Sequence, residues 1–375
     1  MRLAHLCLLA CPECVADLLL APSATMTGDL VESGELRCSR CHATFPVLKG
    51  IPRFVPLDNY ASSFGFEWLQ HARTQYDTYT GTNISETRFF QETGWPRRLD
   101  GERVLEVGSG SGRFTQQAAR TGAIVVSVDY SLAVVANYAS NGRLPNVLIA
   151  QGDIYRLPVQ HGSFDKVFCF GVLQHTPDPE QAFLSLPRHL KPGGQLVVDV
   201  YKRKDSFRGY IGRVVDLKYW LRPLTSRLPP ETLYRWVTRY IHFMWPAARR
   251  INRIPGLGRW LNWRLLIADY RGVFSLSESQ LKEWAILDTF DALSPRYDYP
   301  QTLDTVRRWF TRAGLEEIEV RYGYNGIEGR GRKPAASAQA EDNAEAAGGP
   351  AMGAAGGRWR SGAMRPSRPA PRCQP

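Results

Sequence analysis

The sequence predicts an α/β protein with a seven-stranded, mostly parallel sheet that ends in an antiparallel hairpin. Two observations lead to this fold class. Between residues 101 and 201, short β-branched runs alternate with helical stretches, an order that produces right-handed βαβ units. Near the end of the regular sequence, a helix leads into two further strands joined by Asn325-Gly326, a dipeptide typical of tight hairpin turns.

The individual strands are expected where the apolar runs are short enough to be buried on both faces of a sheet. The first five predicted strands are 103–107, 124–129, 147–152, 166–170 and 195–201. A helix over 303–313, which Gly314 would end, and a strand over 316–322 come before the last short strand.

Composition divides the chain into six segments. Residues 1–57 form a compact cysteine-containing unit, for which we expect a core of its own, and 58–100 form a partly helical connector. The predicted segments of the main domain are its core (101–201), a basic and aromatic helical insertion after the fifth strand (202–300), the final helix and hairpin (301–333), and an Ala-, Gly-, Pro- and Arg-rich tail expected to be disordered (334–375).

The strongest motif is the segment VLEVGSGSGRF, in which a buried strand runs through a glycine-rich turn into a helix. Gly108, Gly110 and Gly112 would let a ligand approach the backbone closely. A dinucleotide fingerprint has its third glycine one position later, where this chain has Arg113. Glu106 precedes the first glycine by two residues and would repel a pyrophosphate, but not a ligand that carries an ammonium and a sulfonium group.

Two acidic residues follow the next two predicted strands. Asp129 lies 21 residues after Gly108, at the spacing expected for a carboxylate that binds ribose hydroxyls. Asp153 ends the third strand in the segment QGDI, where it could accept a hydrogen bond from an adenine amino group. The fourth strand then leads into the loop FGVLQH, and the segment LKPGG turns into the fifth strand.

In this order, the features resemble the Rossmann-like class I S-adenosylmethionine-dependent methyltransferases, particularly the methyltransferase type 11 group that includes the quinone-biosynthesis C-methyltransferases. The resemblance covers about 101–201 and the final helix and hairpin. It implies that the glycine loop and Glu106 hold the methionine part of S-adenosylmethionine, that Asp129 holds the ribose and that Asp153 lies beside the adenine. The expected cofactor-binding residues are Glu106, Gly108, Ser109, Gly110, Gly112, Asp129, Tyr130, Asp153, Ile154 and Gly171.

Four of the seven cysteines form two C-x-x-C pairs, Cys11 with Cys14 and Cys38 with Cys41, separated by 23 residues. Such pairs complete a tetrahedral site for one structural zinc ion, and the odd cysteine count favours metal binding in a reducing compartment over a disulfide framework. The segment resembles the zinc-ribbon modules that accompany or activate some methyltransferases. A zinc ribbon also precedes the catalytic domain of certain ribosomal-RNA guanine methyltransferases, so an RNA substrate stays open.

The first part of the insertion carries the whole positive excess of the chain, whose net charge is +11. From Tyr201 to Gly272 there are sixteen Lys and Arg against four Asp and Glu, together with five of the ten tryptophans. Its position beyond the carboxyl ends of the strands predicts that it covers the substrate pocket. Three interpretations remain open: contact with an anionic membrane surface and a lipid-linked acceptor, an ordinary helical lid with solvated arginines, and phosphate contacts with RNA.

Two residues are candidates for a general base in methyl transfer. His175 lies in the loop after the fourth strand, and Tyr201 ends the fifth; either could instead simply line the cleft. The sequence contains neither an Asn-Pro-Pro-Tyr nor an Asp-Pro-Pro-Tyr motif, which disfavours amino-methylation of adenine, cytosine or glutamine.

The sequence therefore predicts a methyltransferase that acts at O or C of a small or lipid-linked acceptor. The alternatives are an RNA methyltransferase and a non-catalytic protein that binds S-adenosylmethionine. A cytoplasmic location, with peripheral membrane contact as an option, is expected because no apolar run approaches the ~20 residues of a membrane span. The apolar stretch near the N-terminus is short and contains His5, which disfavours a signal peptide.

Overall fold

The computed structural model describes residues 1–203 and 216–335. The predicted disordered tail from residue 336 onward, and residues 204–215 of the predicted insertion, lie outside the described residues. Among the helices that are described, none is both long enough and apolar enough to cross a bilayer.

The N-terminal unit is a small antiparallel sheet that follows a 3-10 turn over Leu3–Leu8. Its strands are β1 (Leu18–Leu20), β2 (Thr25–Thr27), β3 (Leu30–Cys38), β4 (Thr44–Leu48) and β5 (Ile51–Pro52). The connector that follows is helical in part, with α1 (Ser62–Gln70), α2 (Asp77–Thr80) and α3 (Ile84–Thr93).

The main domain contains a seven-stranded sheet in the order β8-β7-β6-β9-β10-β12-β11. Its strands are β6 (Arg103–Val107), β7 (Ile124–Asp129), β8 (Val147–Gln151), β9 (Phe164–Phe170), β10 (Leu190–Val200), β11 (Glu316–Tyr322) and β12 (Ile327–Arg332). Only β12, among these seven strands, runs antiparallel to both of its neighbours. The predicted fold class, a mostly parallel sheet with a terminal antiparallel hairpin, is confirmed.

The helices of the main domain cover the sheet and its carboxyl edge. They are α4 (Arg113–Arg120), α5 (Ala133–Asn141), α6 (Pro179–Ser185), α7 (Leu217–Thr225), α8 (Pro230–Ile251), α9 (Gly258–Arg264), α10 (Glu278–Leu293) and α11 (Leu303–Arg312), with 3-10 turns at Leu173–His175 and Pro187–His189. Strand order reverses between β6 and β9, so a crevice opens there beyond the carboxyl ends of the strands.

Strand β10 begins five residues before the predicted strand over 195–201. Leu190 pairs with Phe164 of β9, and the parallel register resumes only at Gln195, which pairs with Lys166. The segment KPGG therefore forms an irregularity inside the strand rather than a turn before it, because a proline and two glycines interrupt the ladder without ending it.

The prediction that the N-terminal unit has its own core is wrong. Its buried residues, such as Leu36 and Val47, belong to one continuous apolar cluster that also contains Leu105 and Phe183 of the main domain. The unit also pairs with the edge of the main sheet at β8, where the Phe54 amide donates to the Gln151 carbonyl at 2.9 Å. Small units often lack enough apolar surface for a core of their own, and this one shares the core of its neighbour.

The insertion, in contrast, has an apolar cluster of its own. Helices α8 and α10 pack against each other through Val237, Ile241, Ala285 and Phe290, and this cluster is separate from those on the two faces of the sheet. The described part of the insertion, α7 to α10, lies over the carboxyl edge of the sheet and is called the lid below.

Candidate functional site

A cavity of about 640 Å³ lies between the carboxyl edge of the sheet and the lid, and its volume suits a small-molecule ligand. Among the residues predicted to bind the cofactor or to act in catalysis, those on its wall are Gly108, Ser109, Gly110, Asp129, Tyr130, Ile154, Gly171, His175 and Tyr201. The connector and the lid supply much of the remaining wall, including Tyr60, Phe64, Glu67, Trp68, Lys218, Arg222, Trp263, Trp284 and Asp288.

The glycine loop after β6 requires its glycines for two different reasons. Gly108 has a φ of +83° and approaches the lining residue Val172 so closely that a Cβ would lie 2.1 Å from a Val172 methyl carbon. Gly112 has a φ of +93°, and a Cβ there would meet the Asn137 side chain at 2.1 Å. Gly108 thus shapes the cavity wall, whereas Gly112, which does not line the cavity, allows the start of α4 to pack against α5.

Asp129, at the end of β7, is held in place by the loops on either side of it. One carboxylate oxygen accepts from the Gly110 amide at 2.9 Å, and the other accepts from the Ser131 amide at 2.8 Å and its hydroxyl at 2.7 Å. Burial raises the pKa of Asp129, while the hydrogen bonds from Ser131 and Gly110 oppose that rise. The Ser109 amide also donates to this carboxylate, so the two loops fix it at the cavity wall.

Glu106 lies behind the glycine loop rather than on the cavity wall. One of its carboxylate oxygens accepts from the Ser127 hydroxyl at 2.7 Å and from the Thr115 hydroxyl. Burial raises its pKa to about 7. Contact between this carboxylate and the methionine part, which the family resemblance implies, is therefore not supported by its position; Glu106 instead ties β6 to α4 and β7.

Asp153 also lies off the cavity wall, although its neighbours Gly152 and Ile154 both line it. Its Oδ1 accepts from the Tyr155 amide at 3.0 Å, and burial raises its pKa. The backbone beside it, and not its side chain, faces the cavity.

His175 is the predicted catalytic residue whose geometry is most informative. Its Nδ1 lies 2.9 Å from the carbonyl oxygen of Tyr297, which can only accept, so Nδ1 carries the proton of the neutral ring. Nε2 then has a free lone pair, and it is buried without a hydrogen-bond partner among the described residues. The ring packs between Phe64 and Tyr201 on the cavity wall.

Tyr201 is less suited to act as a base. Its hydroxyl donates to the Asp291 carboxylate at 3.3 Å, and burial together with nearby carboxylates raises its pKa well above the usual value for tyrosine. A phenol in these surroundings stays protonated at neutral pH.

Arg113 is a cavity residue that our assignment of the binding residues missed. Burial and the neighbouring Arg88 lower its pKa to about 10, so it remains a cation at neutral pH. Arg88 is already paired with Glu92 and Asp199, whereas Arg113 forms no ion pair within 1–203 and 216–335. The available signal was its place directly after the third glycine of the loop.

Three carboxylates on the lid side of the cavity were also missed: Glu67 of α1, and Asp288 and Asp291 of α10. Burial and the two aspartates raise the pKa of Glu67 well above its usual range, and burial raises that of Asp288 to about 7. No local sequence pattern marks these residues, because α1 and α10 are more than 200 positions apart.

The four predicted zinc ligands come together on the N-terminal sheet. The sulfur atoms of Cys11, Cys14, Cys38 and Cys41 all lie within 4.8 Å of one another. The amides of Arg40 and Cys41 each point at the Cys38 sulfur at 3.4 Å, an arrangement that stabilises a thiolate. Four sulfur ligands at this spacing fit a tetrahedral zinc ion.

Comparisons with known proteins agree with this architecture. Residues 105–198 match the family model described as a methyltransferase domain. A ubiquinone biosynthesis O-methyltransferase of Xanthomonas oryzae pv. oryzae is 32% identical over 182 residues, which cover 47% of this chain and 68% of that protein.

Two further proteins are similar over part of their length. A ubiquinone biosynthesis O-methyltransferase of Coxiella burnetii is 34% identical over 124 residues, or 32% of this chain and 52% of that protein. The chain thus spans about half the length of this relative. The solved structure of Haemonchus contortus phosphoethanolamine N-methyltransferase 2 with S-adenosyl-L-methionine aligns with a TM-score of 0.38 and 19% identity, over 74% of this chain and 48% of that one.

The family assignment rests on the sequence relatives together with the ordered strands, glycine loop and acidic residues. The Xanthomonas relative exceeds 30% identity, and more than two thirds of its length is matched. The chain therefore belongs to the class I S-adenosylmethionine-dependent methyltransferases.

Proposed function

We propose that the protein transfers the methyl group of S-adenosylmethionine to an oxygen or a carbon of a small or lipid-linked acceptor held under the lid. The observation that carries this proposal is the buried, unpartnered Nε2 of His175 on the wall of the same cavity as the glycine loop. The aromatic side chains of Tyr60, Phe64 and Trp284 suit an acceptor with an apolar or planar part.

The residues on the sheet side fit the cofactor. Asp129 would accept from the ribose hydroxyls, Tyr130 and Ile154 would flank the adenine, and the unpaired Arg113 would hold the methionine carboxylate. Bound S-adenosylmethionine supplies a methyl group on a positively charged sulfur, and the main task of the protein is to align the acceptor with that group.

His175 would remove the acceptor proton. In O-methylation the hydroxyl proton moves to Nε2, the oxygen forms a bond to the methyl carbon, and the carbon–sulfur bond breaks with its electron pair left on sulfur. The Tyr297 carbonyl would accept a hydrogen bond from Nδ1 before and after this proton transfer, which stabilises the protonated ring. Because Tyr297 follows the lid helix α10, the lid itself would orient the base.

The test is transfer of labelled methyl groups to small-molecule, lipid and RNA fractions of cell extract. We expect label in the small-molecule or lipid fraction. His175→Gln should lower turnover by about 10²- to 10⁴-fold without changing the affinity for S-adenosylmethionine. Tyr201→Phe, which removes only a hydroxyl from the same wall, is the matched control and should have a much smaller effect. Label in RNA alone, label in no fraction, or equal rates for both variants would contradict the proposal.

We also propose that Cys11, Cys14, Cys38 and Cys41 bind one structural zinc ion, because four thiolates leave no position open for a substrate. Metal analysis of protein purified without chelator should find about one zinc per chain. Since the N-terminal unit shares a core with the sheet, zinc removal should also destabilise the main domain. A metal-free protein, or a main domain whose unfolding is unchanged by chelator, would contradict this assignment.

A further inference from the structure

The outer face of lid helix α8 carries aromatic and arginine side chains that recur at regular helical spacing. Its inner face is buried through Leu233, Val237, Ile241, Trp245 and Ala248. On the opposite side, Trp236, Arg239, Phe243 and Arg250 recur at i, i+3, i+7 and i+14, so they form one stripe along the helix. Trp236 is 68% exposed and Phe243 is 82% exposed. Large exposed apolar patches on a protein surface mark sites of interaction with another surface.

Two other helices of the lid repeat this feature. On α7, Leu217, Trp220 and Leu224 are exposed and fall at i, i+3 and i+7, and no residue of this helix is buried. At α9, Leu257 and Trp260 are both more than half exposed. Helix α9 packs against α8, so the apolar surface extends from one helix to the next.

The charge of this region is strongly positive. From residue 217 to 273 there are eleven Lys and Arg against two Asp and Glu. Some arginines have structural partners: Arg222 pairs with Asp298, and Arg249 lies 3.5 Å from Glu278. Within the part of the chain that the structure describes, Arg239, Arg250 and Arg253 form no ion pair, so their charges are available to a partner.

We infer that this lid face, which comprises Trp236, Arg239, Phe243, Arg250 and Trp260, docks on the surface of an anionic bilayer. Tryptophan side chains are favoured at the level of the lipid headgroups, where guanidinium groups meet phosphates. The exposed leucines of α7, and Leu257 directly before α9, suit acyl chains, because they offer no hydrogen bond to a nucleotide. A second copy of the chain would bring two strongly positive faces together, which like-charge repulsion opposes.

The lid face is continuous with the mouth of the cavity. Trp263 lies three residues after Trp260 on α9, is 44% exposed, and also lines the cavity. Val273 is likewise both exposed and on the cavity wall. Docking on the lid face would therefore bring the cavity mouth to the bilayer, where a lipid-linked acceptor could enter without crossing water. This last step rests on the proposed methyl transfer, whereas the docking itself does not.

The experiment is cosedimentation of the full chain with vesicles of phosphatidylcholine alone and of phosphatidylcholine with 30% phosphatidylglycerol, taken as probes of neutral and anionic surfaces. We expect binding to the anionic vesicles, weakened by salt. Arg239→Gln with Arg250→Gln should lower partitioning about 25-fold, since each basic residue contributes roughly fivefold near such a surface. The matched control, Arg307→Gln with Arg308→Gln on the exposed side of α11, should bind as the wild type does.

An aromatic substitution separates docking from simple charge attraction. Phe243→Ser should lower binding about tenfold or more, while Leu57→Ser, at an exposed apolar position where the N-terminal unit ends, should not. All variants should bind S-adenosylmethionine with unchanged affinity, so loss of docking is distinguishable from failure of the proposed methyl transfer.

Several results would overturn the inference. These are equal binding to both vesicle types, binding to neither, RNA that displaces the protein from the vesicles, and sedimentation of the free protein as a dimer that the Phe243→Ser variant disrupts.

Discussion

The two sides of the cavity are built in different ways. On the sheet side, the wall consists of loops that directly follow the strands, and backbone amides fix the side chains, as Gly110 does for Asp129. On the lid side, the wall consists of side chains from helices, among them the carboxylates of Glu67 and Asp288 and the ring of Trp284. A cofactor that is the same in every member of a family suits the first construction, and an acceptor that differs between members suits the second.

The largest expected loss of cofactor affinity tests the sheet side. Gly108→Ala should lower the affinity for S-adenosylmethionine by more than about a hundredfold, because the new Cβ would lie 2.1 Å from the Val172 side chain and the backbone is left-handed. Gly101→Ala is the control: its φ is also positive, at +81°, but nothing lies within 4 Å of the added carbon. If calorimetry finds equal losses of affinity for the two variants, the clash with Val172 is not the cause, and backbone strain alone explains both losses.

The second prediction tests the lid side through pH. Burial and Asp291 raise the pKa of Asp288 to about 7. Because the pKa of Asp288 is higher in the folded state, its ionisation costs the folded state free energy of unfolding. This contribution is fully retained below about pH 4 and is lost as the pH rises through about 7. Asp288→Asn should therefore stabilise the protein at pH 8, by up to about 4 kcal/mol, and should have little effect at pH 4.

Urea unfolding at both pH values measures this difference. Asp304→Asn, at an exposed position of α11, is the control and should leave the pH dependence as it is in the wild type. The prediction is wrong if the Asp288 variant loses stability at pH 8. The amide oxygen can still accept from the Tyr270 hydroxyl, so that hydrogen bond does not confuse the comparison.

The smallest expected effect returns to the sheet side. Asp129→Ala should weaken S-adenosylmethionine binding by about 1–3 kcal/mol, the usual cost of leaving buried donors without an acceptor. The loss includes the Gly110 amide, which donates to this carboxylate, as well as the ribose hydroxyls. Asp304→Ala serves again as the control. Unchanged affinity in calorimetry, or tighter binding of NAD than of S-adenosylmethionine, would contradict the proposed role.

Local sequence was most informative where strands run into loops. The predicted strands 103–107, 124–129 and 316–322 have the bounds that the structure gives to β6, β7 and β11. Buried β-branched runs and left-handed glycines constrain the backbone over a few residues, and that information is complete within the segment itself. The glycine loop, and the residues after the strands that line the cavity, could therefore be named before the fold was known.

The orientation of side chains was not available in the same way. Glu106 and Asp153 lie next to residues of the cavity wall in the chain, yet neither side chain is part of that wall. Which side of a loop a carboxylate occupies depends on the hydroxyls and amides that reach it, such as Ser127 from the next strand. Arg113 was overlooked because the sequence does not show which arginine pairs with Glu92 and Asp199. In the structure Arg88 takes both partners.

The sequence alone determined the strands, the glycine loop, the two cysteine pairs and the basic, aromatic character of the insertion, because each depends on residues close together in the chain. The tertiary structure decided the rest. Nε2 of His175 has no hydrogen-bond partner among the described residues, whereas a carbonyl 122 residues later, at Tyr297, accepts from Nδ1. The N-terminal unit shares its core with the sheet because apolar surfaces from distant segments are buried together. Such partners are chosen by packing, and packing is a property of the whole fold.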